Sequence, residues 1–128
     1  MSNLSPYFQE RILNHMLRSQ AYVPPKTLYV GLFVESLQND KEIIEVNSQG
    51  YKRQEVLLSA PTNGVCENFQ EVVFPRATVH WGKVVMAAVF DASAKGNVLF
   101  MGEVEPVRVV DEGSQFKFLD GEFTISLT

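Results

Sequence analysis

After the paired prolines Pro24-Pro25, turn residues cut the chain into short apolar stretches, and that punctuation limits the fold more than any other feature. Breaks fall at Gln49-Gly50, Asn63-Gly64, Pro75, Gly96-Asn97, Pro106, Gly113 and Asp120-Gly121. The stretches between them run roughly five to eight residues, the length of β-strands and too short for packed helices. Thr27–Val34 and Val84–Phe90 are almost continuously apolar and rich in β-branched residues, as strands in the middle of a sheet are. Glu122–Thr128 alternates apolar with polar, so its apolar residues should face one core and its polar residues water. The expected fold is mainly β: an antiparallel, jelly-roll-like β-sandwich over residues 27–128.

Residues 5–20 follow a different period. Ser5 can cap a helix by accepting from a free backbone N–H, and Pro6 suits the first helical position, where its missing N–H costs nothing. Phe8, Ile12 and Met16, with Leu13 and Leu17, recur at helical spacing and form an apolar stripe. His15 and Arg18 lie near the negative end of the helix dipole. Pro24-Pro25 forbids continuation. This N-terminal amphipathic helix is a candidate cover for the strand at 27–34. With no repeat, low-complexity segment or second core, residues 1–128 are expected to form a single domain.

The remaining segments are weaker. Ser36–Asp40 reads as a loop and Glu42–Val46 as a short strand. Tyr51–Leu58 resumes as a strand, and Glu71–Phe74 is a short one closed by Pro75. Val98–Val104 should pair with Val84–Phe90 as a hairpin until Pro106 breaks it. Val107–Val110 and Phe116–Leu119 are then separate short strands. Trp81 and Phe90 are expected to anchor the interior.

The net charge of −4 disfavours nucleic acid and anionic membranes as partners. No apolar run approaches the roughly 18 residues of a membrane span, and no signal-peptide pattern opens the chain, so a soluble protein made in a cytosol is expected. Cys66, the one cysteine, cannot staple its own chain and reads as a small buried apolar residue. His15 reads as a boundary histidine and His80 as an amphipathic residue at a strand end. Two histidines and one cysteine without short spacing make no usual zinc site. Glu103 and Glu105 could in principle do acid–base work, but the solvated face of a strand is the simpler reading. No nucleophile elbow, phosphate loop or EF-hand pattern occurs. A non-enzymatic protein without cofactor or metal is expected.

The ordered turns and strands resemble a family of small tailed-phage tail-fibre proteins. The resemblance starts at Ala21-Tyr22, Pro25 and Thr27–Phe33, and continues at Gly50-Tyr51-Lys52-Arg53-Gln54, where the family tends to Gly-Tyr-x-Arg-Gln. It then runs through Asn63-Gly64, Val73-Phe74-Pro75, Ala77-Thr78, Trp81-Gly82, Phe90-Asp91-Ala92, Gly96–Gly102, Gly113, Phe116, Phe118 and Gly121-x-Phe123. It implies a virion structural protein assembled in the host cytoplasm, with no catalytic residues to carry over. Either a capsid decoration (cement) protein or a tail-fibre component fits, packing against other phage structural proteins and itself homo-oligomeric. A host-surface glycan-binding module is the alternative. The stretch from Ser36 to Asn47 is more charged than the family pattern and suits a particle-specific contact loop. Candidate interface residues are Phe8, Ile12 and Met16 on the helix stripe. Tyr51 and Arg53 join them, as they alternate onto one face and are residue types enriched at interface hot spots.

Overall fold

The computed structural model describes residues 2–35 and 42–127. It is an antiparallel β structure with one helix. The elements are β1 (Ser2–Leu4), α1 (Pro6–Arg18), β2 (Leu28–Glu35), β3 (Ile43–Glu45), β4 (Gln54–Val56), β5 (Val65–Glu67), β6 (Val72–Val73), β7 (Gly82–Phe90), β8 (Val98–Val110), β9 (Lys117–Phe118) and β10 (Thr124–Ser126). A six-stranded sheet runs β1-β8-β7-β2-β3, with β4 also pairing β2. Two ribbons, β10-β5 and β6-β9, supply a second layer. The layered antiparallel fold expected from the turn spacing is therefore present, although the second layer is two ribbons and not one continuous sheet.

The two apolar runs lie side by side at the centre of the large sheet. Val30 pairs with Val89, Leu32 with Ala87 and Val34 with Val84, and directly opposed residues share a face. All of these side chains except Val89 join Val56, Val72, Phe74, Trp81, Val104, Phe116 and Phe118 in one core. An unbroken series of ring contacts crosses it. Tyr51 meets Trp81 edge-on at 5.4 Å and stacks on Phe74 at 6.2 Å. Phe74 meets Phe116 at 5.9 Å, Phe116 meets Phe118 at 5.0 Å, and Phe118 meets Phe123 at 5.0 Å. Trp81, 5% exposed, anchors this core as expected; Phe90 is equally buried but lies outside the core, on the opposite face of the sheet, stacked on Phe33 and under Arg53.

Ser5 starts the helix and also fixes it to the sheet. Its hydroxyl accepts from the Phe8 N–H at 3.1 Å and donates to the Val98 carbonyl, while its own N–H reaches the Leu99 carbonyl at 2.9 Å. Phe8 then packs edge-on against Phe100. Phe100 opposes Val89, which opposes Val30, so α1 covers the core face of the sheet at one end. The helix closes two residues earlier than expected, where Ser19 turns left-handed (φ 55°). His15 Nδ1 accepts the Tyr22 N–H at 3.1 Å and folds the following segment back along the helix.

Four expectations are corrected. Pro106 does not break the strand: β8 is a single strand of 13 residues. Its pairing with β7 jumps from Met86↔Glu103 to Val84↔Arg108, and this bulge gives the proline, with no N–H to offer, a place in the ladder. Val107–Val110 is therefore the end of β8 and not a strand of its own. Leu127, expected inward, is 65% exposed. The strand expected at 51–58 shrinks to Gln54–Val56, the residues that pair with β2, and Leu58 makes only an isolated bridge to Asn68. Ser36–Asp40, read as a loop, lies outside the described residues, as does part of the charged stretch 36–47.

The ribbons are tied by one buried amide and by tight turns. Asn63-Gly64 closes a two-residue turn with φ of 52° and 79°, left-handed values that glycine adopts without Cβ strain. Asn68 is fully buried. Its amide donates to the carbonyls of Gln70 (2.8 Å) and Leu119 (2.9 Å), and its oxygen accepts from the Phe123 N–H at 2.8 Å. Asn68→Ala would leave these backbone groups buried and unpaired. A loss of about 3 kcal/mol is expected, read as a lower midpoint in urea unfolding monitored by Trp81 fluorescence.

Candidate functional site

The sequence-derived candidates fall into two places. Tyr51 and Arg53 belong to a polar clasp at the edge of β2. On the side away from β7, β2 is covered by β4 over Leu28–Val30 and by β3 over Phe33–Glu35. Leu32 falls between the two short strands. Its carbonyl accepts the Val46 N–H at 2.9 Å, and its N–H finds the Tyr51 hydroxyl at 2.9 Å. That hydroxyl donates to Glu45 Oε2 at 2.8 Å.

Arg53 completes the clasp. Nε and Nη2 grip the two Glu45 oxygens at 2.8 and 2.9 Å, a bidentate pair. Nη1 donates to the carbonyls of Ala92 (2.9 Å) and Lys95 (2.7 Å) in the β7–β8 loop. The guanidinium lies 3.4 Å from the centre of the Phe90 ring. The Arg53 side chain is only 8% exposed and that of Glu45 24%. Gly31 lies directly beneath: a Cβ there would stand 2.7 Å from Glu45 Oε2 and 2.8 Å from Phe90 Cε1. The Gly-Tyr-x-Arg pattern thus has a concrete task, joining β2, β3 and the β7–β8 loop. Sequence reading found both donors but missed their shared acceptor Glu45, which sits in a weak three-residue strand.

Phe8, Ile12 and Met16 lie on the helix. The stripe is split by the packing. Phe8 and Ile12 are half-buried, and with Met16 they border an apolar groove of about 250 Å³ whose far wall includes Leu28, Leu99 and Phe100. Met16 is 70% exposed, and beside it Leu13 (56%) and Leu17 (76%) face outward, as does Val23 (84%) beyond the helix. No helical residue is fully buried.

His80 does meet a carboxylate, that of Asp111, but their side chains are 48% and 66% exposed and neither borders the groove beside the helix. Among the described residues, no group of His, Cys, Asp or Glu is placed to hold a metal ion, and no helix is long and apolar enough to cross a membrane. Cys66, expected buried, is half-buried in β5. Among the described residues Phe69 is the one aromatic side chain that is largely exposed, at 47%.

The clasp makes two measurable predictions. Arg53→Met leaves Glu45 without its cation and should cost about 3 kcal/mol in denaturant unfolding, whereas an exposed pair would cost under about 1 kcal/mol. Burial, more than the neighbouring Glu45 charge, raises the Tyr51 hydroxyl above its ordinary ionisation range. The folded state therefore keeps this proton when unfolded tyrosine, at about pH 10, gives it up. The stability from this group is complete below about pH 10 and is lost as pH rises beyond it. Tyr51→Phe should flatten that alkaline loss, and at neutral pH it should cost about 1–3 kcal/mol for the orphaned Leu32 N–H.

No curated protein matches the chain. The profile of a family described as podophage GP4 fiber I protein gp80 matches residues 3–126, nearly the whole length and every element described above. The chain belongs to the podophage GP4 fiber I protein gp80 family, a family of phage fibre proteins.

Proposed function

We propose that this protein is a tail-fibre subunit, not a capsid decoration, and that copies of it join through the outward apolar face of α1. A phage fibre protein is a virion component that contacts other phage structural proteins. The observation that carries the finer reading is the group Leu13, Met16, Leu17 and Val23, 56–84% exposed on and just after a helix that buries none of its residues. Such a helix gains little from its own packing, and Ser5 and Phe8 hold it in place so that its far side is presented. The patch exposes on the order of 500 Å², a size at which contiguous apolar surface marks a contact site. It also approximates the apolar share of a standard interface of about 800 Å² per partner. Glu10, Arg11 and Arg18 give the helix charges of both signs, so a second copy meets no single-sign field. Met16, with Phe8 and Ile12 behind it, links this face to the groove. Tyr51 and Arg53 support the fold that displays the patch. Recognition by shape and apolar contact requires neither catalysis nor cofactor, and subunits made in the host cytoplasm would assemble there.

The test is a double variant, Leu13→Glu with Leu17→Glu. Both positions are exposed, so folding should change by no more than about 0.5 kcal/mol each. The wild type should sediment as an oligomer and be found in purified particles at few copies, not the hundreds of a shell protein. The variant should be a folded monomer by circular dichroism and sedimentation, and absent from particles. An oligomeric variant that still enters particles refutes the helix interface.

A further inference from the structure

β8 pairs with β7 on one side at Val98, Phe100–Glu103 and Arg108–Val110, but on its other side, among the described residues, only Phe100–Gly102 have a partner, in β1. Among the described residues no strand adjoins the following stretch, Glu103–Val109, on that side. Glu103, Glu105, Pro106, Val107 and Val109 are all exposed, the two valines at 45% and 57%. Beneath this edge a cleft of about 670 Å³ opens toward β10, with Val104, Phe118 and Phe123 among its apolar walls. An unpaired edge is a ready template for an incoming strand.

Charge decides what can come in. Glu103 and Glu105 stand at the cleft with no cation among the described residues within ion-pair distance. Arg108, also in the cleft, is already held by Glu122 Oε2 at 3.0 Å and the Lys117 carbonyl at 2.8 Å, against the Phe116 ring. A second copy offering the same edge would set like charges against each other, which disfavours pairing. An extended basic chain meets the opposite case. Its alternate side chains can place ammonium or guanidinium groups near Glu103 and Glu105 and send apolar groups into the cleft.

We propose that the open edge of β8, Glu103–Val109, accepts an extended basic segment of a neighbouring virion protein as an added strand. That the segment comes from a virion protein rests on the fibre role; the strand-accepting edge is a property of the isolated chain.

The test titrates isotope-labelled protein with blocked eight-residue peptides. One alternates lysine and valine, one alternates glutamate and valine, and one is the lysine peptide with alternate amides N-methylated. The lysine–valine peptide should shift the amides of residues 103–109 and leave those of α1 unmoved, with binding weakened by added salt. E103Q/E105Q, both at exposed positions and expected to fold normally by circular dichroism, should weaken binding roughly threefold to tenfold. The acidic and N-methylated peptides should not bind. Shifts elsewhere, no binding, equal binding of the N-methylated peptide, or an unchanged affinity in E103Q/E105Q each overturn the proposal. The two readings fail separately: wild-type protein present in particles with no peptide response defeats only the edge, and absence of the protein from particles defeats the fibre role alone.

Discussion

The architecture depends on how one edge of β2 is finished. β2 carries the centre of the core, yet its outer edge is divided between two three-residue strands, and a divided edge leaves a backbone donor exposed to burial without a partner. Tyr51 supplies the missing acceptor, and its ring simultaneously fills the core between Phe74 and Trp81. Glu45 and Arg53 fix that hydroxyl and carry the restraint across to the β7–β8 loop. A buried ion pair contributes little net stability compared with apolar packing, but removing one member is costly. Its value here is specificity of arrangement: it fixes where two short strands and a loop lie relative to β2.

The second layer follows the same economy. Two-stranded ribbons are marginal by themselves. They persist because Phe116, Phe118 and Phe123 continue the ring contacts of the main sheet, and because Asn68 satisfies three backbone groups that a ribbon end would otherwise bury unpaired. Among the described residues the buried polar side chains Asn68 and Ser5 serve the backbone, one holding the ribbon ends and the other the helix start.

What remains for recognition is the surface, which divides by chemistry. The helix end presents apolar side chains beside charges of both signs, the face proposed to join copies of the chain. The far half of β8 presents Glu103 and Glu105, and among the described residues no strand pairs its outer edge, the feature behind the proposal of a basic partner strand. Pro106 lies between Glu105 and Val107 on that edge, where it narrows the range of strands that can pair.

Local signals in the chain were sufficient wherever a residue's role depends on its neighbours in sequence. Ser5-Pro6 set the helix start, Asn63-Gly64 its turn, and the apolar runs at 27–34 and 84–90 the central strands, because capping, positive φ and β-branching act over a few residues. Tertiary structure decided what depends on distant partners. β1 and β5 are short and unpatterned, and become strands only because β8 and β10 pair with them. Pro106 stays within β8 because β7 accommodates a bulge. The stripe of α1 divides into a gripping half and an exposed half according to where Phe100 lies. Tyr51 and Arg53 turn to Glu45, because an unpaired buried donor between β3 and β4 costs more free energy than solvating two side chains returns.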